Sequence, residues 1–115
     1  MMTYGDSANG QTQGVYTFKA EGGDIVAISV FPEILKNKNI YGSLILKNGN
    51  GETMAVGKDF TLAYEGGTWS GFISAGSRIE RYIIPSAGNY YIIAGHSPRG
   101  ASQGSIVVVL SKLNE

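Results

Sequence analysis

Ile40-Tyr41-Gly42-Ser43-Leu44-Ile45-Leu46-Lys47-Asn48-Gly49-Asn50-Gly51-Glu52-Thr53-Met54-Ala55-Val56 is the stretch that decides the fold class. An aliphatic run reaches four consecutive Asn and Gly residues, and a shorter run returns from them. Gly and Asn accept the positive φ that tight turns demand, and Asn-Gly favours the primed turns that close hairpins. A helix would instead need apolar residues three and four apart, without four turn residues in its middle. The segment reads as a hairpin of residues 40–47 against 52–56, with at least one residue of the turn at positive φ.

The same grammar repeats outward on both sides. Residues 15–20 (VYTFKA) alternate like a strand, Glu21-Gly22-Gly23-Asp24 is a turn, and residues 24–31 (DIVAISVF) are rich in β-branched residues. These two strands are predicted to pair as a hairpin. Residues 32–39 (PEILKNKN) are the one helical suspect, since Pro at a first helical position before Glu and Ile-Leu would suit a single turn, but they are too short for a stable helix and read rather as a loop with Ile34 and Leu35 tucked under the sheet. Residues 60–64 form a further short strand, and Gly66, Gly67 and Gly71 punctuate the least readable region, around Trp69 and Phe72. Residues 78–84 (RIERYII) alternate, with Ile79, Arg81 and Ile83 on one side and Glu80, Tyr82 and Ile84 on the other. Pro85-Ser86-Ala87-Gly88 turns into residues 89–94. Residues 105–113 (SIVVVLSKL) close the chain, and their Val run implies burial on both faces or a central position. Residues 1–14 are polar, with Gly5, Gly10 and Gly14, and read as an extended arm or linker.

Turns about every ten residues predict an all-β protein, an antiparallel β-sandwich of jelly-roll type with eight or nine strands and little or no helix. Its one domain spans residues 15–115. The predicted core is Phe18, Ile28, Val30, Leu44, Leu46, Ile84, Ile92, Val107 and Val109.

Composition narrows the function. The chain has 115 residues, 16% of them charged, with nine Lys and Arg against nine Asp and Glu. A nucleic-acid surface would need a basic excess, and no apolar run is long enough to span a bilayer. There is no Cys and one His, so disulfides, thiolate chemistry and a His-based zinc site fall away. The N-terminus carries neither a basic segment nor an apolar one, so this stretch holds no signal peptide.

Catalysis needs a nucleophile beside a base, a carboxylate couple or a metal. His96 with Ser97 or Ser102 and Asp59 would be the one conceivable triad, but no Gly-x-Ser-x-Gly elbow surrounds a Ser. None of the nine carboxylates sits in an acid/base motif. Asn48, Asn50 and Glu52 place oxygens on alternate residues and form a weak calcium candidate, since only one carries charge. The reading is therefore a non-enzyme without a cofactor. Trp69, Tyr64, His96 and Arg99, in two Gly-rich loop regions, are the candidate ligand-binding residues, with Trp69 offering the large rigid contact area that anchors interfaces.

Three stretches in order carry a family likeness. Residues 16–26 (YTFKAEGGDIV), residues 40–51 (IYGSLILKNGNG) and residues 83–93 (IIPSAGNYYII) together resemble the bacterial pre-peptidase C-terminal domain. They match its aromatic-x-Phe strand with Ala-Gly-Asp turn, its Leu-x-Leu hairpin and its Pro-x-x-Gly-x-Tyr-Tyr-Ile signature. Residues 104–110 sit where its closing strand belongs. The departures are Asn39, Lys47 and Lys58 where the family often has acids, with Asp59 the acid that remains, and Ile106 where an aromatic is common. The resemblance implies a β-sandwich appended to secreted proteases and other extracellular enzymes. It also implies a secreted, non-catalytic accessory role in targeting, binding or solubility. The partner would be a polymeric extracellular ligand or a neighbouring protein domain. Two alternatives stand beside it: a self-assembling filament or coat subunit, a homo-oligomer through the arm of residues 1–14, and a carbohydrate-binding module using Trp69.

Overall fold

The computed structural model describes residues 1–10, 13–65, 71–98, 100 and 104–114. Among these, the chain forms nine strands: β1 (Ser7–Gly10), β2 (Gln13–Ala20), β3 (Ile25–Pro32), β4 (Ile40–Lys47), β5 (Thr53–Val56), β6 (Lys58–Glu65), β7 (Phe72–Ile83), β8 (Gly88–His96) and β9 (Ile106–Lys112). They make two layers. One sheet runs β5-β4-β8-β2 and the other β1-β9-β3-β7-β6. These pairings are antiparallel. The layers join at one seam, where Ile40 and Tyr41 of β4 pair in parallel with Ser74 and Ala75 of β7. Beyond Tyr41, β4 turns to β8. The all-β sandwich expected from turn spacing is the fold found, with this seam nearly closing it.

Period-two burial builds the core. Val26, Ile28 and Val30 of β3, Leu44 and Leu46 of β4, and Ile92 and Ala94 of β8 all face inward and are buried. They meet Phe18, Ile79, Ile84, Tyr90, Ile106, Val108 and Leu110 in a single cluster. Phe18 stacks on Tyr90 with ring centroids 5.8 Å apart.

Several local expectations are corrected. In β9 the inward residues are Ile106, Val108 and Leu110, while the expected core members Val107 and Val109 are half-buried on the outer face. A continuous aliphatic run gives no phase, and one residue of slip reverses every side chain. β2 and β3 do not pair. β2 lies beside β8, and β3 lies between β7 and β9. The turn before β3 is instead a corner between layers. The Asp24 amide bonds the Glu21 carbonyl, Gly23 adopts φ 91° and its amide bonds the Ile84 carbonyl. In β7 the alternation breaks at a bulge: Val26 opposes Tyr82 but Ile28 opposes Ile79, so one extra residue sits on β7. Ile79 and Tyr82 consequently both face the core, and Ile83 is exposed on the other side. β7 also begins at Phe72, earlier than the sequence showed, because Gly71, Gly76 and the small residues Ser74, Ala75 and Ser77 hide its strand pattern.

The hairpin after β4 is a three-residue loop instead of a primed turn. The Gly51 amide bonds the Asn48 carbonyl, the Asn48 amide bonds the Glu52 carbonyl, and only Gly51 in the turn is left-handed, at φ 82°. Residues 33–39 are a loop, but Ile34 is exposed and only Leu35 is half-buried.

Residues 1–10 lie on the sandwich instead of extending from it. β1 pairs with β9, Met2 is buried against the core, and its amide donates to the Thr17 carbonyl at 2.7 Å. The Tyr4 hydroxyl donates to Asp24 at 2.8 Å. Asp24 also accepts from the Glu21 amide and pairs with Lys112 at 3.4 Å. These bonds, the Glu21 amide first, hold the Asp24 carboxyl below its usual pKa. Burial, and then Asp24, push the Tyr4 phenol above its usual value.

Candidate functional site

The outward residues of the four-stranded sheet form rows, because facing residues share a side. Val15 of β2 pairs with Ile93 of β8, Ile93 with Ile45 of β4, and Ile45 with Val56 of β5. Four aliphatic side chains therefore cross the whole sheet in register, over roughly 14 Å at ordinary strand spacing. The two ends, Val15 and Val56, are each 63% exposed, and Ile45 and Ile93 are half-buried. The next row places Thr17 opposite Tyr91, Tyr91 opposite Lys47, and Lys47 opposite Thr53. The face thus presents a flat apolar stripe edged by a phenol, hydroxyls and one ammonium. Contiguous exposed apolar surface with a polar rim is the composition of an interaction site.

The residues singled out from sequence lie elsewhere. Tyr64, 58% exposed, lies next to the end of β6 opposite Ile73 of β7, and its ring lies over Gly71, where a Cβ would clash with it. His96 ends β8. Its Nε2 donates to the Gly104 carbonyl at 3.2 Å, and its Nδ1 is buried with no hydrogen-bond partner among the described residues. Trp69 and Arg99 lie outside the described residues. The described anchors of the two loop regions meet at Asn39: its Oδ1 accepts from the Ile73 amide at 2.8 Å, and its carbonyl abuts Gly100.

At the calcium candidate, the Asn48 Oδ1 accepts the amides of Asn50 and Glu52, at 2.9 and 3.0 Å, and its Nδ2 donates to Glu52 Oε1 at 3.1 Å. The Asn48 oxygen that would face a cation organises the turn instead. Among the described residues, no three His, Cys, Asp or Glu side chains gather where they could hold a metal.

The sequence missed the stripe because Val15, Ile45 and Val56 belong to three separate runs, and only register brings them into line. The signal that was present is that residues 15, 45 and 93 alternate with core residues 16, 46 and 92.

Fold and surface together define a two-layer β-sandwich of jelly-roll type with an apolar stripe across the outer face of one sheet. The chain is similar to the pre-peptidase C-terminal domain of a collagenase from Bacillus anthracis, with a TM-score of 0.59 and 16% identity, covering 94% of this chain and 90% of that one. At that identity the likeness is one of fold, and it is the fold the three sequence motifs implied. No family model and no curated protein matches the chain.

Proposed function

We propose that this chain is a non-catalytic accessory domain of a secreted protein. It holds a polymeric extracellular ligand, or the protein domain next to it, on the outer face of the four-stranded sheet. The observation that carries this reading is the in-register stripe Val15-Ile93-Ile45-Val56 beside Tyr91. A face built only to meet water alternates apolar-in with polar-out, and this row departs from that pattern across all four strands. The shared fold with a domain of a collagenase supports an appended role. The pairing of β1 with β9 within one chain favours the accessory reading over assembly through residues 1–14.

The test is co-sedimentation of the purified chain with collagen fibrils and with chitin. Parent protein is expected in one of the two pellets. The Val15→Lys and Val56→Lys variants, altered at exposed ends of the stripe, are expected to stay folded and in the supernatant. Ser7→Lys, exposed on the opposite sheet, should sediment like the parent. Equal sedimentation of all variants, or of none including the parent, would refute the reading.

A further inference from the structure

A second surface lies along the open edge between the layers. β6 pairs with β7 only as far as Lys58 opposite Arg78, so β7 from Ile79 to Ile83 has β3 on one side and, among the described residues, no strand on the other. A groove of about 330 Å³ runs there, lined by Ala55, Val56, Lys58, Arg78, Ile79, Glu80 and Arg81. Lys58 and Arg78 are direct cross-strand neighbours of like charge, an arrangement that destabilises a sheet unless something answers it. Arg81 joins them because of the β7 bulge. Residues 78 and 81 would point to opposite faces of a regular strand, and the extra residue turns Arg81 toward the same groove. Glu80 is the one acid in the lining, so three cations stand against a single carboxylate in a chain whose overall net charge is zero. Among the described residues none of these four charges makes an ion pair.

Arg78 is held ready. Its guanidinium carbon lies 4.1 Å from the Phe60 ring centroid, and its Nε is 3.4 Å from Ser29 Oγ. Phe60 reaches that position over Gly76, where a Cβ would strike the ring and the Val30 carbonyl. Phe60 is braced in turn by Phe31, edge-on at 5.6 Å. These contacts fix the guanidinium plane and use neither terminal amino group, the pair that grips a carboxylate bidentately.

We propose that this groove binds an extended, acidic segment of a partner polypeptide. It would lie beside Ile79–Ile83 in line with β6, with carboxylates on Arg78, Lys58 and Arg81 and apolar side chains on Ala55 and Val56. An unpaired strand edge supplies backbone bonds to such a segment, as in strand addition generally. The apolar wall and the intervening Glu80 favour alternating acidic and apolar side chains over a uniformly charged polymer. The site is separate from the sheet face proposed above except at Val56, which borders both.

The test is a nuclear magnetic resonance titration of the isotopically labelled full chain. The probe is a capped peptide of alternating Val and Glu, with alternating Val and Lys as its control. Saturable shifts are expected at Ala55, Val56, Lys58 and residues 78–83 with the acidic peptide alone. They should weaken with added salt, as exposed charge interactions do. Arg81→Glu and Lys58→Glu, both at exposed positions, are expected to raise Kd by about tenfold or more while leaving the remaining spectrum in place. Shifts absent with the acidic peptide, or unchanged affinity in both variants, would overturn the site. A sulfated heparin oligosaccharide that moves the same resonances at lower concentration would overturn the choice of ligand. Because Val15→Lys alters the sheet face alone, it should bind the peptide like the parent, which separates failure here from failure of the sheet-face proposal.

Discussion

Asp24 is the residue on which the N-terminal segment depends. It is 7% exposed and accepts from the Glu21 amide and the Tyr4 hydroxyl while pairing with Lys112. It therefore ties residues before β1 to the start of β3 and the end of β9. Replacing it with Ala strands a tyrosine hydroxyl and a backbone amide, and the expected loss is about 1–3 kcal/mol in denaturant unfolding. The acid response has a definite sign. The folded carboxyl lies below the ordinary value of 3.8, so its contribution is complete above that pH and fades as pH falls through the folded value. Asp6 is lowered in the same sense by the Thr3 amide, so the comparison must isolate Asp24. Asp24→Asn should lose less stability than the parent as pH falls from about 5 to about 2. Parallel acid slopes for the two proteins would show that the charge is not used. The Glu21 amide contact is local to the Gly-Gly-Asp turn, where Asp commonly bonds nearby amides, but the Tyr4 and Lys112 contacts were not readable there because they come from the two ends of the chain.

At the scale of elements, legibility followed local information. Residues 40–47 and 89–94 were found close to their bounds because turn residues fence them and a single phase fits. Phe18, Ile28, Val30, Leu44, Leu46, Ile84 and Ile92 were correctly assigned to the core for the same reason. The facing of β9 was hidden, since Ile106-Val107-Val108-Val109-Leu110 is apolar on both sides, and only pairing with β3 and β1 sets it. The β7 bulge was hidden too, since an extra residue leaves no mark in a single strand. β9 gives a sharp check. Leu110→Ala should cost about 2–5 kcal/mol, while Val109→Ala, flanked by Ser7 and Ser29 on the outer face, should cost clearly less. Equal costs, or the reverse order, would mean the strand is turned over. The edges carry recognisable protection: β5 is short and irregular, and β6 has Lys58 and Asp59 at its start and a break in register at Leu62.

At the scale of the molecule, the described chain forms one sandwich in which residues 1–10 are structural. Removing them exposes the outer edge of β9 and deletes Met2 from the core, so the truncated protein should melt at least about 4 °C lower. An unchanged melting temperature would restore the arm that the sequence suggested. The fold class and the family likeness were legible because turn chemistry is local. The apolar stripe proposed as a binding face was not, because it exists only once β2, β8, β4 and β5 are aligned. The absence of any Cys allows a direct measurement on that face. Single Thr17→Cys and Ser7→Cys variants place one thiol beside Tyr91 on the four-stranded sheet and one on the outer face of the other sheet. Their alkylation rates are compared with and without the fibre that sediments the parent. Bound fibre is expected to slow alkylation at position 17 several-fold and leave position 7 unchanged; equal slowing at both, or slowing at position 7 alone, would contradict the sheet-face account.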